Sequence, residues 1–219
     1  MTGQNQPGIE ELAQLVEREL LVHVSIKSNH QNDPVVVGNI PEPWLLLGRG
    51  NYAAVFCHPE RKDCAMKVYA PGRPGLQEEA EVYRRLDRHP AYSECYMVGD
   101  GYLILKRLIG KTFYECIIEG IPITDQAIRE IDEALDDARS LGLSPHDIHV
   151  KNVMMQNGRG VIVDVSDFLK EEDYQMWNDF KKAYLRLYRP LTARRTIRIP
   201  EVVLEAIRRG YRIWRVIRE

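Results

Sequence analysis

The chain has 219 residues, of which 44% are hydrophobic, and its formal net charge is −2 at pH 7. A chain of this length and composition can bury a substantial core, and it contains no internal repeat or low-complexity tract. No apolar run is long enough to span a membrane, and the polar N-terminus does not resemble a signal peptide, which together favour a cytoplasmic protein. The four cysteines lack C-x-x-C spacing and are expected to be reduced, partly buried thiols: Cys57, Cys64, Cys95 and Cys116.

The first 43 residues predict a helix, a strand and a linker. Residues 1–7 are polar, and we expect them to be frayed. A helix is predicted next, because apolar residues recur at helical spacing: Ile9, Leu12, Val16 and Leu20. A strand is predicted after it, because apolar residues then alternate with polar ones: Val22, Val24 and Ile26. Asn, Asp and three prolines make residues 28–43 a predicted linker.

Residues 44–69 are predicted to form strands around a glycine-rich turn. The segment L-L-L-G-R-G-N-Y-A-A-V-F (45–56) has two glycines and then an alanine, so its backbone can bend closely over phosphate groups. The candidate nucleotide-binding positions in this segment are Gly48, Gly50, Ala53 and Val55. Lys67 lies in the middle of the next strand, C-A-M-K-V-Y, where its ammonium can reach the phosphates as a compact charge.

A helix is predicted after this strand, because apolar residues recur at helical spacing: Leu76, Ala80, Tyr83 and Leu86. Glu79 lies on the same helix and is the best-placed partner to hold Lys67. Two further strands are expected near Cys95–Val98 and Tyr102–Leu105.

The segment S-P-H-D-I-H-V-K-N-V-M-M (144–155) carries the clearest chemistry. It follows a predicted helix that ends at Gly142. Asp147 precedes Asn152 by five residues, and phosphoryl transfer uses such a pair: the carboxylate orients an attacking hydroxyl, and the amide oxygen helps to hold a divalent cation. Twelve residues later, Asp164 ends the apolar strand V-I-V and offers a second oxygen ligand for that cation.

Together, these motifs resemble the protein kinase superfamily over roughly residues 43–168, which is more than half of the chain. Each motif alone is weak, because glycine pairs mostly serve tight turns; the order and spacing of five elements carry the resemblance. The resemblance implies an α+β, two-lobed protein kinase-like fold that binds ATP with Mg²⁺, or with Mn²⁺ in its place. It also implies a hinge at Lys106–Leu108, where the backbone groups of Lys106 and Leu108 contact adenine.

The resemblance assigns a role to each candidate. Asp147 would orient the acceptor hydroxyl, Asn152 and Asp164 would hold the metal, and Lys67, fixed by Glu79, would grip the nucleotide phosphates.

Three departures from the family pattern are informative. Ala53 replaces the third glycine of the loop, and His146 replaces the arginine that precedes the catalytic aspartate in regulated kinases. Asp-Val-Ser stands where the family has Asp-Phe-Gly and is followed by Asp167 and Phe168, so Asp167 is an alternative metal ligand. We prefer Asp164, because the turn N-G-R-G leads directly into the strand that this residue ends.

No activation segment is recognisable after Phe168, and only about fifty residues remain, so we expect a truncated C-terminal lobe. This truncation is similar to minimal atypical, Rio-like kinases, and the leading hypothesis is a serine/threonine protein kinase of that type. The motif D-I-H-V-K-N also resembles the loop of aminoglycoside and choline kinases, although their long insertion after the hinge is missing here. The alternatives are therefore a small-molecule kinase and a pseudokinase scaffold.

The predicted organisation has three regions: an N-terminal helix, strand and linker (1–43), an N-lobe (44–105), and a hinge with a reduced C-lobe (106–219). Charge is uneven across them, since residues 181–219 hold 12 Lys or Arg against 3 Glu.

An apolar stripe predicts a terminal helix with a basic opposite face; the stripe is Val203, Ile207, Gly210, Trp214 and Ile217, and the basic residues are Arg208, Arg212 and Arg215. That face is either a solvated surface or a docking site for an acidic partner, a nucleic acid or a membrane surface. His146 and His149 are expected to shape the catalytic loop and not to bind a metal, because no third ligand has suitable spacing.

Overall fold

The structure is a computed structural model, and it describes residues 6–30, 33–170, 176–192, 197–206 and 209–210. The described residues separate into two units. The first takes in the described parts of Met1–Leu108, Ala138–Pro145 and Val165–Glu171, and the second those of Ile109–Asp137, His146–Asp164 and Glu172–Glu219. Helices and several antiparallel sheets make the chain a mixed α and β protein, compatible with the predicted α+β class.

The N-terminal helix is confirmed, although it extends further than predicted. It consists of α1 (Gln6–Leu15), a π-helical turn (Val16–Leu20) and α2 (Leu21–His23). The strand predicted over Val22, Val24 and Ile26 is present only at its end, as β1 (Ser25–Lys27). Its predicted start is wrong, because the helix continues through Val22 and leaves that side chain exposed.

The predicted linker at residues 28–43 is also partly wrong. It contains strand β2 (Val36–Gly38), which pairs antiparallel with β1 (Ser25–Lys27). Two adjacent valines in β2 favour this extended pairing, although the segment is too short for its pattern to predict a strand.

A five-stranded antiparallel sheet forms the centre of the first unit, and it confirms the strands predicted there. Its spatial order is β3-β4-β5-β7-β6, and the strands are β3 (Leu45–Arg49), β4 (Ala53–His58), β5 (Arg61–Tyr69), β6 (Cys95–Val98) and β7 (Tyr102–Lys106). The predicted helix is α3 (Leu76–Leu86).

The two faces of this sheet are both covered. Side chains of one face join the N-terminal helix in a single core, which includes Leu12, Val16, Ala54, Phe56, Met66, Val68, Tyr102 and Ile104. The opposite face carries Lys67, which contacts α3. Because successive strand residues point to opposite faces, Lys67 points away from the core that its neighbours Met66 and Val68 join.

The second unit contains a small sheet and the helices that pack with it. The strands are β8 (Lys111–Thr112), β9 (Val153–Gln156) and β10 (Arg159–Ile162), in the order β10-β9-β8. Helix α4 (Phe113–Glu119) starts at a capping box, in which Thr112 and Glu115 bond to each other's backbone N–H groups. Helix α5 (Asp125–Ser140) approaches β10 closely, since a Cβ atom at Gly160 would lie 2.3 Å from the Ala127 carbonyl oxygen.

The described C-terminal residues of the second unit are mostly helical. They form α6 (Met176–Ala183), a π-helical turn (Tyr184–Tyr188) and α7 (Arg189–Thr192), and residues 201–206 form a further helical segment. Ile207, Arg208, Arg212, Trp214, Arg215 and Ile217 of the predicted terminal helix lie outside the described residues. Among the described helices, none combines the length and apolar content needed to cross a bilayer.

The four cysteines are free thiols, as predicted. Burial raises the pKa of the Cys64, Cys95 and Cys116 thiols to about 11.

Candidate active site

Lys67 and Glu79 form the predicted ion pair in the first unit. The Lys67 Nζ atom lies 2.6 Å from Glu79 Oε2 and 2.9 Å from Oε1. The Glu79 side chain is 0% exposed and that of Lys67 is 13% exposed. The Tyr69 hydroxyl also donates a hydrogen bond to Glu79. A buried carboxylate thus receives hydrogen bonds from a cation and a phenol, which fixes the direction of the lysine side chain.

The strand register aligns the candidate phosphate-binding positions with this lysine. Gly48 pairs with Val55, and Val55 pairs with Lys67 across β4 and β5. Residues paired across antiparallel strands point to the same face, so these three positions share the face that carries the ion pair. A Cβ atom at Gly48 would have no neighbour within 4 Å, so the packing of this chain does not require glycine there.

The glycine-rich turn is held by a backbone hydrogen bond within the turn and by contacts with Arg73. The Gly50 N–H donates to the Ala53 carbonyl at 2.9 Å. Arg73 donates to the Asn51 carbonyl at 3.1 Å, and its guanidinium lies 4.9 Å from the centre of the Tyr52 ring. These contacts define the shape of the turn.

Lys170 adds a second cation at the same ring, with its ammonium 5.8 Å from the ring centre of Tyr52. Lys170 also forms an ion pair with Asp167, at 2.8 Å. Asp167, the alternative metal ligand, is thus a partner of Lys170 in the first unit.

The predicted hinge begins where β7 ends. The Lys106 N–H donates to the Glu94 carbonyl at 2.8 Å, and the Lys106 carbonyl accepts a hydrogen bond from the Ser93 hydroxyl at 2.7 Å. A carbonyl oxygen has two lone pairs, so this contact leaves capacity for one more donor at Lys106. The adenine contacts at Lys106 and Leu108 stay predictions.

In the second unit, Asp147 and Asn152 belong to one hydrogen-bonded loop. Asp147 adopts a left-handed backbone conformation with φ of 53°. The Asn152 side-chain Nδ2 donates to the Asp147 carbonyl at 3.1 Å, and the Asn152 N–H donates to the His149 carbonyl at 2.8 Å. Since Nδ2 is committed to the loop, Oδ1 is the atom of this amide that can coordinate a cation.

The β9–β10 hairpin brings Asn152 and Asp164 to the same end of the small sheet. Val153 pairs with Ile162, and the Val163 N–H donates to the Asn152 carbonyl at 2.9 Å. Asn152 directly precedes β9, and Asp164 directly follows Val163 at the end of β10. Amide and carboxylate oxygens are the ligands that Mg²⁺ prefers, so the donor set fits this ion. Among the described residues, no cluster of three or more His, Cys, Asp or Glu residues has the arrangement of a metal site.

The two histidines of the loop have different environments. His146 is buried. His149 Nε2 lies 3.8 Å from Asp147 Oδ2, while the Lys151 N–H donates to His149 Nδ1 at 3.2 Å. This backbone bond makes Nδ1 an acceptor, so the imidazole directs an Nε2–H toward the Asp147 carboxylate. Both positions are consistent with histidines that shape the loop.

A comparison with curated proteins decides the family. A protein of Bacillus subtilis (strain 168), named "Putative serine/threonine-protein kinase YrzF", is 35% identical to this chain over 179 residues, which are 80% of this chain and 82% of that protein. The chain belongs to the protein kinase-like family. No profile of a known protein family matches it.

In this kinase-like chain, sequence reasoning missed Tyr69 and the contacts of Lys151. Tyr69 follows Lys67 by two residues on β5, so strand alternation places both on one face and could have indicated it. The Lys151 ammonium lies 4.2 Å from the centre of the Tyr114 ring and 3.4 Å from Glu205 Oε1. These partners are distant in the sequence, and no local pattern indicates them.

Proposed function

We propose that this protein is an ATP- and Mg²⁺-dependent phosphotransferase, a serine/threonine protein kinase of the minimal atypical type. The observation that carries the proposal is the backbone hydrogen bond from the Val163 N–H to the Asn152 carbonyl, which holds the residue before Asp164 against Asn152 at the end of the β9–β10 hairpin. The side-chain Nδ2 of the same Asn152 donates a hydrogen bond to the backbone carbonyl of Asp147. Phosphoryl transfer needs this combination of an oxygen donor pair for a divalent cation and a nearby carboxylate.

Each residue then has one task. Lys67, oriented by Glu79, binds nucleotide phosphates, and Gly48 allows the backbone of β3 to approach them. Asn152 and Asp164 hold Mg²⁺, which neutralises phosphate charge when bound. Asp147 orients the acceptor hydroxyl and accepts its proton at a carboxylate oxygen.

Nucleotide binding is tested by thermal unfolding with and without Mg-ATP. At about a hundred times its dissociation constant, the ligand should add about 2.7 kcal/mol of stability. For a chain of this size, that raises Tm by roughly 5–11 °C. Asp164→Asn should reduce the Mg²⁺-dependent part of the shift, whereas Asp167→Asn should not. No shift at millimolar Mg-ATP would contradict the proposal.

Catalysis is tested by transfer of radiolabelled phosphate to the protein itself or to a generic basic protein. Asp147→Asn should abolish transfer and leave the Mg-ATP thermal shift nearly intact, because this carboxylate acts on the hydroxyl and not on the nucleotide. Asp100→Asn is the matched control, an exposed aspartate in the β6–β7 turn. Equal labelling by wild type and Asp147→Asn, or ATP binding without any labelling, favours a pseudokinase; transfer confined to small-molecule acceptors favours a small-molecule kinase.

A further inference from the structure

A C-terminal segment of the second unit contacts the catalytic loop. We call residues 197–206 the strap. Its Ile199 N–H donates to the Ile117 carbonyl of α4 at 3.1 Å. Glu201 accepts a hydrogen bond from the Tyr114 hydroxyl at 3.1 Å, and Glu205 lies 3.4 Å from Lys151 Nζ. Lys151 is the residue immediately before Asn152, so the strap is attached to the loop that carries Asp147.

The charge of these contacts is unexpected for this part of the chain. Residues 181–219 contain 12 Lys or Arg and 3 Glu, yet two of those three glutamates make the contacts with Tyr114 and Lys151. Glu201 and Glu205 are four residues apart in the helical segment of the strap, and this spacing places both carboxylates on one helix face.

Lys151 and Tyr114 lie next to each other, and each contacts a glutamate of the strap. The Lys151 ammonium lies 4.2 Å from the centre of the Tyr114 ring, an attractive cation–π distance. The Tyr114 N–H donates to the Val150 carbonyl at 2.9 Å, which ties α4 to the loop. An ammonium and a phenol hydroxyl, both hydrogen-bond donors, are thus held side by side within the second unit.

We propose that Lys151 and Tyr114 form the subsite that recognises an acidic side chain of the protein substrate, and that the strap occupies this subsite through Glu201 and Glu205. The inference rests on the proposed function and adds to it a preference for serine or threonine near acidic residues. The Lys151 and Glu205 side chains are 41% and 30% exposed, so their ion pair is screened by water and an acidic peptide can displace it.

The test measures binding by fluorescence anisotropy, using a fluorescein-labelled peptide with one serine flanked by glutamates and a matched peptide with glutamines. The wild-type chain should prefer the acidic peptide. Glu201→Gln with Glu205→Gln removes the internal competitor and should tighten acidic-peptide binding by about twofold to fivefold. Lys151→Gln should abolish the preference, whereas Lys62→Gln, at an exposed lysine of β5, should leave it unchanged.

Two results would overturn the inference. If Lys151→Gln binds the acidic peptide as tightly as wild type does, the binding is due to the general positive charge of residues 181–219 and not to Lys151. Binding that is not tightened by the double glutamine variant would show that the strap does not compete. Tyr114→Phe keeps the ring and removes the hydroxyl donor, so it should weaken the preference in part and serves as the second variant if Lys151→Gln unfolds.

Binding is measured without phosphoryl transfer, which separates the inference from the proposed function. A Lys151-dependent preference in a protein that transfers no phosphate would contradict the kinase proposal and support the subsite as a binding site for acidic segments. Transfer to both peptides with equal kcat/KM, and no difference in binding, would contradict the subsite and leave the kinase proposal standing.

Discussion

Replacing Lys67 with methionine is expected to destabilise the protein as well as remove a phosphate contact. The Glu79 carboxylate is 0% exposed and lies 2.6 Å from the Lys67 ammonium. Lys67→Met removes the cation and leaves the carboxylate buried. The attraction of the ammonium offsets the free-energy cost of removing the carboxylate from water. Without that attraction the variant should unfold more easily, even in the absence of nucleotide.

The structure sets the size of the effect. Breaking a buried ion pair typically costs about 3–5 kcal/mol. The lower end applies here, because Tyr69 still donates a hydrogen bond to Glu79 and water reaches the 13% of the Lys67 side chain that is exposed. A loss of about 3 kcal/mol in a chain of this size corresponds to a fall in Tm of roughly 6–12 °C.

A double variant separates lost charge pairing from lost packing. Lys67→Met with Glu79→Gln removes both charges, and the glutamine carbonyl can still accept the Tyr69 hydroxyl. This double variant should be more stable than Lys67→Met alone by about 1–2 kcal/mol, because it no longer buries an uncompensated charge.

Urea and thermal unfolding without nucleotide, followed by circular dichroism, measure these differences. Lys62→Met is the matched control, since Lys62 lies on the same strand and is exposed; it should leave stability within about 0.5 kcal/mol of wild type. The reasoning is refuted if Lys67→Met is as stable as wild type, or if the double variant is no more stable than Lys67→Met. Either result would imply that water hydrates the Glu79 carboxylate.

Three further outcomes are expected from the fold. Gly160→Ala places a methyl group 2.3 Å from a carbonyl of α5 and should destabilise by about 1–3 kcal/mol in urea, whereas Gly48→Ala, with no neighbour within 4 Å, should not. Tyr69→Phe removes a hydrogen bond to a buried charge and should cost about 1.5–3 kcal/mol in the same assay. Cys116 is buried, and burial also raises the pKa of its thiol to about 11, so this thiol should react with Ellman's reagent at about pH 8 only after unfolding.

The central elements could be predicted because their signals are local. The apolar stripe of α3 has helical spacing, and Glu79 falls on its buried face together with Val82, Tyr83 and Leu86. Gly142, with φ of 73°, ends the turn after α5 as expected for a glycine at a helix C-terminus. The β1–β2 hairpin was missed, because a three-residue strand is too short to establish a period.

By itself, the sequence determined the kinase-like motifs, their order and the main strands and helices, since each depends on residue type at short spacing. Only the tertiary structure decided which distant residues lie together. It decided the strand register that places Gly48, Val55 and Lys67 in one row, and the contact between Lys151 and Glu205, which are 54 residues apart. Such contacts depend on burial and on complementary charge between distant segments. Local periodicity carries no information about which distant segment provides the partner.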